Sequence, residues 1–142
     1  MAFQIDDGEF PLVTVKVVGG STPADTASYL QHMESLIARA RSTGERAVHV
    51  IDAREALLSS ASDRRMMGEW MKEHDLDNRE TCGGFAFVFD SAIVRGALTA
   101  VLWIHPLPAP HFITSDVGEA LSWARQRLSQ AGPVGEPTRA TG

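Results

Sequence analysis

Two histidines, His105 and His111, stand six residues apart in the segment AVLWIHPLPAPHFI, residues 100–113. Imidazole nitrogens bind zinc, but a structural zinc site needs about four ligands and a catalytic site about three. The other donor side chains are distant in the sequence: His32, His49, His74, Asp52, Asp90 and Cys82. We therefore predict no metal site in this segment. The prolines between the two histidines predict a connector, because proline cannot continue a helix.

Two carboxylates form a second candidate site. Asp52 and Asp90 each end a short apolar run typical of a buried strand, AVHVID and GFAFVFD. In a parallel sheet both would lie at the C-terminal edge, where open α/β sheets hold ligands. Together with Ser91 they define a candidate polar sheet edge, and an enzyme that uses them with a histidine is one hypothesis. Aspartate at a strand end is also typical of turns and helix caps, and we favour capping.

Common catalytic motifs are absent from the sequence. It contains no GxGxxG pattern, no phosphate-binding loop, no HExxH, no GxSxG and no pair of cysteines. The single cysteine, Cys82, has no cationic residue fixed beside it, which favours a small buried residue over a reactive thiol. We therefore expect no cofactor and no catalytic residue.

The composition is that of an ordinary soluble globular protein. Of the 142 residues, 44% are hydrophobic and 22% are charged, and the net charge is −5. The basic residues form no stripe, so nucleic acid is not an expected partner. One cysteine permits no internal disulfide and suits a reducing cytoplasm. No apolar stretch approaches the ~18 residues of a transmembrane segment, and we expect a cytoplasmic protein.

Strand patterns alternate with helix patterns along the chain. This order predicts an α/β layer with a mixed, mostly parallel sheet of about four or five strands and about four helices. Ser21 or Thr22 is expected to cap the first helix, and Gly44 to end it. Residues 1–128 are expected to form one domain, and the Gly/Pro-rich residues 129–142 a disordered tail. The strands are expected at 10–18, 47–52, 84–90 and 111–114, and the helices at 24–41, 63–74, 92–104 and 115–128.

Apolar side chains recur in two places that suit either a core or a binding surface. One is the helix 63–74, where methionines surround Trp70; such clusters favour a core, although Met also suits adaptable docking faces. The other is the end of the helix 92–104, where apolar residues enter a proline-rich loop that is expected to lie on the surface. The candidate partner or ligand surface comprises Met67, Trp70, Trp103, Ile104, His105 and Leu107.

Three stretches carry a resemblance to a known family: RAVHVIDAREALLSSASDRRMMGEWMK, GGFAFVFDSAIVRGALTAVLWI and HFITSDVGEALSWARQRL. In the third, EALSW matches a recurrent E-A-x-x-W ending. Over residues 10–128 the chain resembles the SpoIIAA-like branch of the STAS fold, the domain of bacterial anti-anti-sigma factors, and small stand-alone STAS/SEC14-like proteins. The resemblance implies a sheet-and-helix domain with a regulatory role. The resemblance to SEC14-like proteins implies a lipid or other apolar small molecule held against the sheet.

The resemblance also implies a phosphorylated serine before the second helix, in a D-S-[SG]-G-[LV] pattern. The matching place is LLSSASDRR, which makes Ser59 and Ser60 a candidate phospho-switch. Phosphate there would meet the unpaired amides of a helix N-terminus. Leu58 stands where the family has an acid, and Ala61 and Ser62 replace its Gly-Leu pair. This departure favours ordinary loop and cap roles for the serines.

Three hypotheses follow from the sequence. The first is a non-enzymatic regulatory or adaptor domain that binds a protein partner, or itself, through residues 103–110. The second is binding or carriage of a lipid or other apolar small molecule. The third is an enzyme that uses Asp52, Asp90 and a histidine.

Overall fold

A five-stranded mixed sheet lies at the centre of the fold. The computed structural model of the protein describes residues 2–57, 60–104, 106–130 and 134. The strands follow one another in sequence order across the sheet; β1 is antiparallel to β2, and the other neighbours are parallel. They are β1 (Phe3–Asp6), β2 (Leu12–Gly19), β3 (Ala47–Ala56), β4 (Cys82–Val88) and β5 (His111–Thr114).

Five helices in the described ranges connect or follow these strands. They are α1 (Pro23–Thr43), α2 (Ala61–Glu73), α3 (Asp75–Thr81), α4 (Ala92–Ile104) and α5 (Val117–Gln130). Each parallel connection contains at least one helix, as parallel pairing requires. The predicted α/β class with a mixed, mostly parallel sheet is confirmed.

The two faces of the sheet bury different helices, because side chains alternate along each strand. Val13 and Val15 of β2 pack against α1 and against Trp70 of α2. The intervening positions of the sheet pack against Ala120 and Ala124 of α5; they are Leu12, Val48, Val50, Ala86 and Val88. The first face therefore carries α1 and α2, and the second face carries α5.

Both ends of α1 follow the predicted signals. Thr22 is the N-cap: its side chain accepts from the Asp25 backbone N–H, and Asp25 accepts in return from the Thr22 N–H. This reciprocal pair is a capping box. At the other end Gly44 adopts a left-handed backbone with φ 76°, and its N–H donates to the Ala40 carbonyl. A residue with a side chain adopts that conformation rarely, which explains the glycine.

Two elements of the structure were not predicted. β1 has only four residues, but Phe3 and Ile5 pack against the α1 face of the sheet, and Phe3 stacks on Tyr29 with centroids 4.5 Å apart. α3 has no apolar stripe, because its buried residues are Asn78 and Thr81. Both bond to main-chain carbonyls one turn earlier, at 3.0 and 2.7 Å. Hydrophobic periodicity detects neither element.

Two predicted strand ends were wrong in ways that affect the candidate site. β3 does not end at Asp52 but continues to Ala56, because β2 offers pairing partners as far as Gly19. β4 ends at Val88, opposite the last residue of β5, so Asp90 lies beyond the strand. At the C-terminus, α5 reaches Gln130, two residues past the predicted boundary, and most of residues 129–142 lie outside the described part.

Candidate functional site

An apolar cavity of about 770 Å³ lies between the sheet and the helices α2 and α4. β3 and β4 contribute its floor, α2 contributes one wall, and α4 lies across from that wall. Its apolar lining comes mainly from the sheet and from these two helices. The residues are Ile51 of β3, Phe85 and Phe87 of β4, Phe89 just beyond β4, Met67, Trp70 and Met71 of α2, and Val94 and Leu98 of α4. Tyr29, Leu30 and Met33 of α1 extend the lining.

Local structure brings these side chains to one face. Met67, Trp70 and Met71 follow the three- and four-residue spacing of a helix face. Phe85 and Phe87 alternate along β4 and therefore both project toward α2 and α4. Met67 and Trp70, which the sequence suggested as binding-surface residues, thus line the same cavity.

α4 is the least packed helix around this cavity. Leu102 is its only buried residue among those whose exposure is described. Ile93 is 85% exposed, Trp103 84% and Ile104 74%. A helix that is apolar on all sides is normally buried, yet α4 contains a single charged residue, Arg95, and leaves much of its surface open. We call Ile93, Trp103 and Ile104 the outer apolar surface of α4.

The remaining members of the predicted partner surface are separated from it. Leu107 is half-buried; it packs near Phe85 and lines the cavity instead of the outer surface. His105 lies outside the described residues, so its relation to His111 is not defined; His111 begins β5 and is exposed. Within the described ranges, no group of three or more His, Cys, Asp or Glu side chains is placed to hold a metal ion.

A buried carboxylate marks one end of the cavity. Asp63, in the first turn of α2, is 3% exposed and lines the cavity. It accepts hydrogen bonds from the hydroxyls of Ser21 and Thr26, each at 3.3 Å. These bonds connect the first turn of α2 to the start of α1 and satisfy part of the carboxylate's hydrogen-bonding capacity. Sequence reasoning missed Asp63 because an acid in the first turn of a helix needs no further explanation.

The indole nitrogen of Trp70 is buried and has no hydrogen-bond partner among the described residues. The whole residue is 7% exposed. Its ring stacks on His74 with centroids 4.2 Å apart. Most buried polar groups are hydrogen-bonded, so such an atom needs an explanation.

The two predicted acids line different clefts, and Arg54 interacts with both of them. Asp52 lies on the α5 face, in a smaller cleft beside Lys16 and Leu121, whereas Asp90 lines the cavity on the opposite face. Arg54 forms two hydrogen bonds to the Asp52 carboxylate, at 2.9 and 2.8 Å, and these hold its pKa below the ordinary value. Asp52 is thus ion-paired, and Asp90 is exposed.

The predicted serines lie at helix starts. Ser60 is the N-cap of α2, and its Oγ accepts from the Asp63 backbone N–H at 3.1 Å. Ser91 precedes α4, and its Oγ accepts from the Val94 N–H at 3.3 Å. Both contacts are the ordinary ones of a capping residue. Ser59 lies outside the described residues.

Two buried titratable groups have strongly shifted pKa values. Burial raises the pKa of Cys82 to about 12, so its thiol is protonated at neutral pH and is not a nucleophile. Burial lowers the pKa of His49 to about 4, so its ring is neutral. His49 stacks on Phe85 beneath the cavity, with centroids 5.5 Å apart.

The sheet order, the helices on its two faces and the short antiparallel first strand define a SpoIIAA-like fold. The solved structures that share this fold include the following two. One is an uncharacterised protein of the DUF3478 family, described as having a SpoIIAA-like fold, from Shewanella loihica PV-4: TM-score 0.63, 20% identity, covering 87% of this chain and 92% of that one. The other is an anti-sigma factor antagonist from Mycobacterium paratuberculosis: TM-score 0.53, 15% identity, with the same coverages.

The likeness to these structures is one of fold. No protein-family model matches the chain, and no curated protein matches its sequence. Across the described residues, none of the helices has the length and apolar character needed to cross a membrane.

Proposed function

We propose that this chain is a non-enzymatic binding domain that holds an apolar small molecule in the cavity between the sheet, α2 and α4. The observation that carries the proposal is the cavity itself, about 770 Å³ with an almost wholly apolar lining. Ligand sites typically measure about 300–1,000 Å³ and combine apolar walls with a few polar groups. Asp63 is such a polar group here.

A bound apolar ligand would also offset the loss of packing contacts that an unfilled apolar cavity causes. Protein interiors are close-packed, and an unfilled apolar cavity forfeits dispersion contacts. The cavity is partly open to solvent, but ordered water needs two to four polar partners, and the aromatic and methionine side chains that make up most of the lining do not supply them. An apolar occupant restores the lost contacts without polar partners.

Binding is favoured over catalysis by the placement of the acids. Asp52 and Asp90 line different clefts, and the Asp52 carboxylate is paired with Arg54. A paired-acid mechanism needs two carboxylates at one reacting centre. This separation supports a domain that binds its ligand without transforming it.

Two matched glycine substitutions test the proposal. Gly68 of α2 lines the cavity, and a Cβ placed on it meets no atom within 4 Å. Gly96 of α4 has equally open surroundings but does not line the cavity. We expect Gly68→Phe to fill part of the cavity and weaken the binding of a neutral apolar fluorescent dye at least tenfold. Gly96→Phe serves as the control and should bind the dye as the wild type does.

The titration should be done on protein stripped of co-purified ligand by organic extraction and refolding, with circular dichroism confirming the fold of both variants. Equal dye affinity in Gly68→Phe and Gly96→Phe would contradict binding in the cavity. Native mass spectrometry of unstripped wild-type protein gives an independent readout, because a bound molecule adds mass.

A second candidate function, a regulatory or adaptor role through protein contacts, is favoured by the outer apolar surface of α4. Trp103 and Ile104 are both mostly exposed, and contiguous exposed apolar residues are typical of interaction sites. The similarity in fold to an anti-sigma factor antagonist supports this candidate. The occupant to test first is a second copy of the chain.

Sedimentation velocity over a range of concentrations tests self-association through this surface. Trp103→Ala should shift the equilibrium toward monomer. Leu76→Ala removes another exposed apolar side chain, 66% exposed on α3, and should leave the equilibrium unchanged. A wild-type chain that stays monomeric at all concentrations would exclude a second copy as the partner.

A further inference from the structure

Among the described residues, every charged side chain that lines the cavity lies at one end of it. These side chains belong to Arg54 of β3, to Asp63 and Arg64 in the first turn of α2, and to Asp90 beyond β4. β3 and β4 are parallel, and α2 follows β3 in the connection that returns the chain to β4. The first turn of such a helix lies at the edge where the strands end. The cavity therefore has one charged end, at the carboxyl edge of the sheet.

The opposite end of the cavity is apolar. Phe85 lies near the start of β4, and Leu107 belongs to the connector between α4 and β5. Leu107, Met71 and Ala109 pack in one cluster with Phe85 and cover this end. A polar group placed there would lose its water without gaining a hydrogen-bond partner, which is unfavourable. A ligand that fits the whole cavity is therefore polar at one end and apolar at the other.

The distance between the two ends gives the length of the apolar part. From Phe85 to Phe89, which both line the cavity, the chain advances about 13 Å at about 3.3 Å per residue. An extended alkyl chain advances about 1.3 Å per carbon, because each C–C bond measures about 1.5 Å. A chain of about ten carbons therefore reaches from the covered end to the charged end.

Asp90 indicates which polar group suits the charged end. It is exposed, and among the described residues it accepts a hydrogen bond from Arg95 through its main-chain carbonyl, while no side chain donates to its carboxylate. Arg54, the nearby cation, already donates two hydrogen bonds to Asp52. A carboxylate head would be repelled by Asp90, whereas a hydroxyl can donate to it.

We propose that the ligand is a single-chain amphiphile, an alkyl chain of about ten carbons with an uncharged head that bears hydroxyl groups. Its chain lies along Phe85 and Phe87 between α2 and α4, and its head lies beside Asp90 in contact with water. This inference rests on the proposed function, since it concerns the occupant of the same cavity.

Three uncharged ligands with equal chains test the two ends. They are 1-decanol, decyl glucoside and 1,10-decanediol, each used below the concentration at which it aggregates, and each is measured by displacement of the neutral dye from stripped wild-type protein. Decyl glucoside should bind about as tightly as 1-decanol, because its sugar stays in water. The diol should bind at least tenfold more weakly, because its second hydroxyl would be buried beside Phe85 without a partner.

A charge reversal at Asp90 tests where the head lies. Asp90 is exposed, so Asp90→Lys should leave the fold intact. We expect the variant to bind decanoate about threefold more tightly than the wild type at low ionic strength, since a repulsion becomes an attraction, and to change 1-decanol binding little. Glu45→Lys is the matched control: Glu45 is exposed and precedes β3, at the opposite edge of the sheet, and its reversal should not change decanoate binding.

Each of these results supports or overturns the oriented amphiphile. It is overturned if the diol binds as tightly as 1-decanol, if decyl glucoside fails to displace the dye, or if Asp90→Lys changes decanoate binding no more than Glu45→Lys does. The proposed function stands in those cases, provided that Gly68→Phe still weakens dye binding. If the wild type binds neither the dye nor 1-decanol, both the inference and the proposed function are overturned.

Discussion

His49 makes the stability of this fold sensitive to mild acid. Its side chain is 3% exposed, its Nδ1 has no partner among the described residues, and burial lowers its pKa from 6.5 to about 4. The unfolded chain therefore takes up a proton on this residue below about pH 6.5, whereas the folded chain takes it up only below about pH 4. Between these values the unfolded state binds more protons, and stability falls as the pH falls.

The magnitude follows from the size of the shift. A difference of about 2.5 pH units corresponds to about 3 kcal/mol, of which about 2 kcal/mol is lost between pH 7 and pH 5. A domain of this size has a free energy of unfolding of about 5–15 kcal/mol, so the loss is a large fraction. The contribution of His49 to the free energy of unfolding is present above about pH 6.5, is lost progressively as the pH falls from 6.5 to 4, and changes little below pH 4.

Urea denaturation at a series of pH values measures this slope. His49→Phe keeps an aromatic ring against Phe85 and removes the titrating group, so its free energy of unfolding should change little between pH 7 and pH 5. His111→Ala removes an exposed histidine and should retain the wild-type slope. Asp52, whose pKa is lowered, adds acid sensitivity at still lower pH in all three proteins. A wild-type stability that is flat from pH 7 to pH 5, or an unchanged slope in His49→Phe, would refute the reasoning.

Three further predictions concern packing and hydrogen bonding within the fold. Gly84→Ala would place a Cβ 2.7 Å from the Trp123 ring, and should lower the free energy of unfolding in urea by about 1–3 kcal/mol; an unchanged midpoint would contradict this. Cys82, with a pKa raised to about 12, should react with a thiol reagent at pH 8 only at the rate of unfolding, and rapid labelling of native protein would count against its burial. Asp63→Asn, which replaces one of the two oxygens that accept from the Ser21 and Thr26 hydroxyls with an amide NH2 group, should destabilise by about 1–3 kcal/mol, measured by the same titration.

Much of the fold could be predicted because local and tertiary preferences agree. The alternation in β2 matches its buried valines, and the helix predicted at 92–104 has the same bounds in the structure. Thr22 and Gly44 mark the ends of α1 through contacts within a few residues. These features can be predicted from the sequence because they depend on residues that are close together along the chain.

The cavity could not be predicted for the opposite reason. A helix face made of Met67, Trp70 and Met71 has the same apolar period whether it packs against another surface or lines an empty space. The difference depends on contacts between residues that are distant in the sequence. Likewise, the locations of Asp52 and Asp90 depend on where β3 and β4 end, and the pairing with the neighbouring strands determines those ends.

The two proposed functions concern different faces of α4 and need not compete. Val94 and Leu98 face the cavity, whereas Trp103 and Ile104 are on the outer apolar surface. An apolar ligand covers the first pair and leaves the second exposed; a protein partner covers the second pair and leaves the cavity unfilled. A helix that is apolar on all sides buries its apolar surface fully only when both faces are covered. Self-association should therefore be measured on both ligand-loaded and stripped protein, since the two binding events share one weakly packed helix.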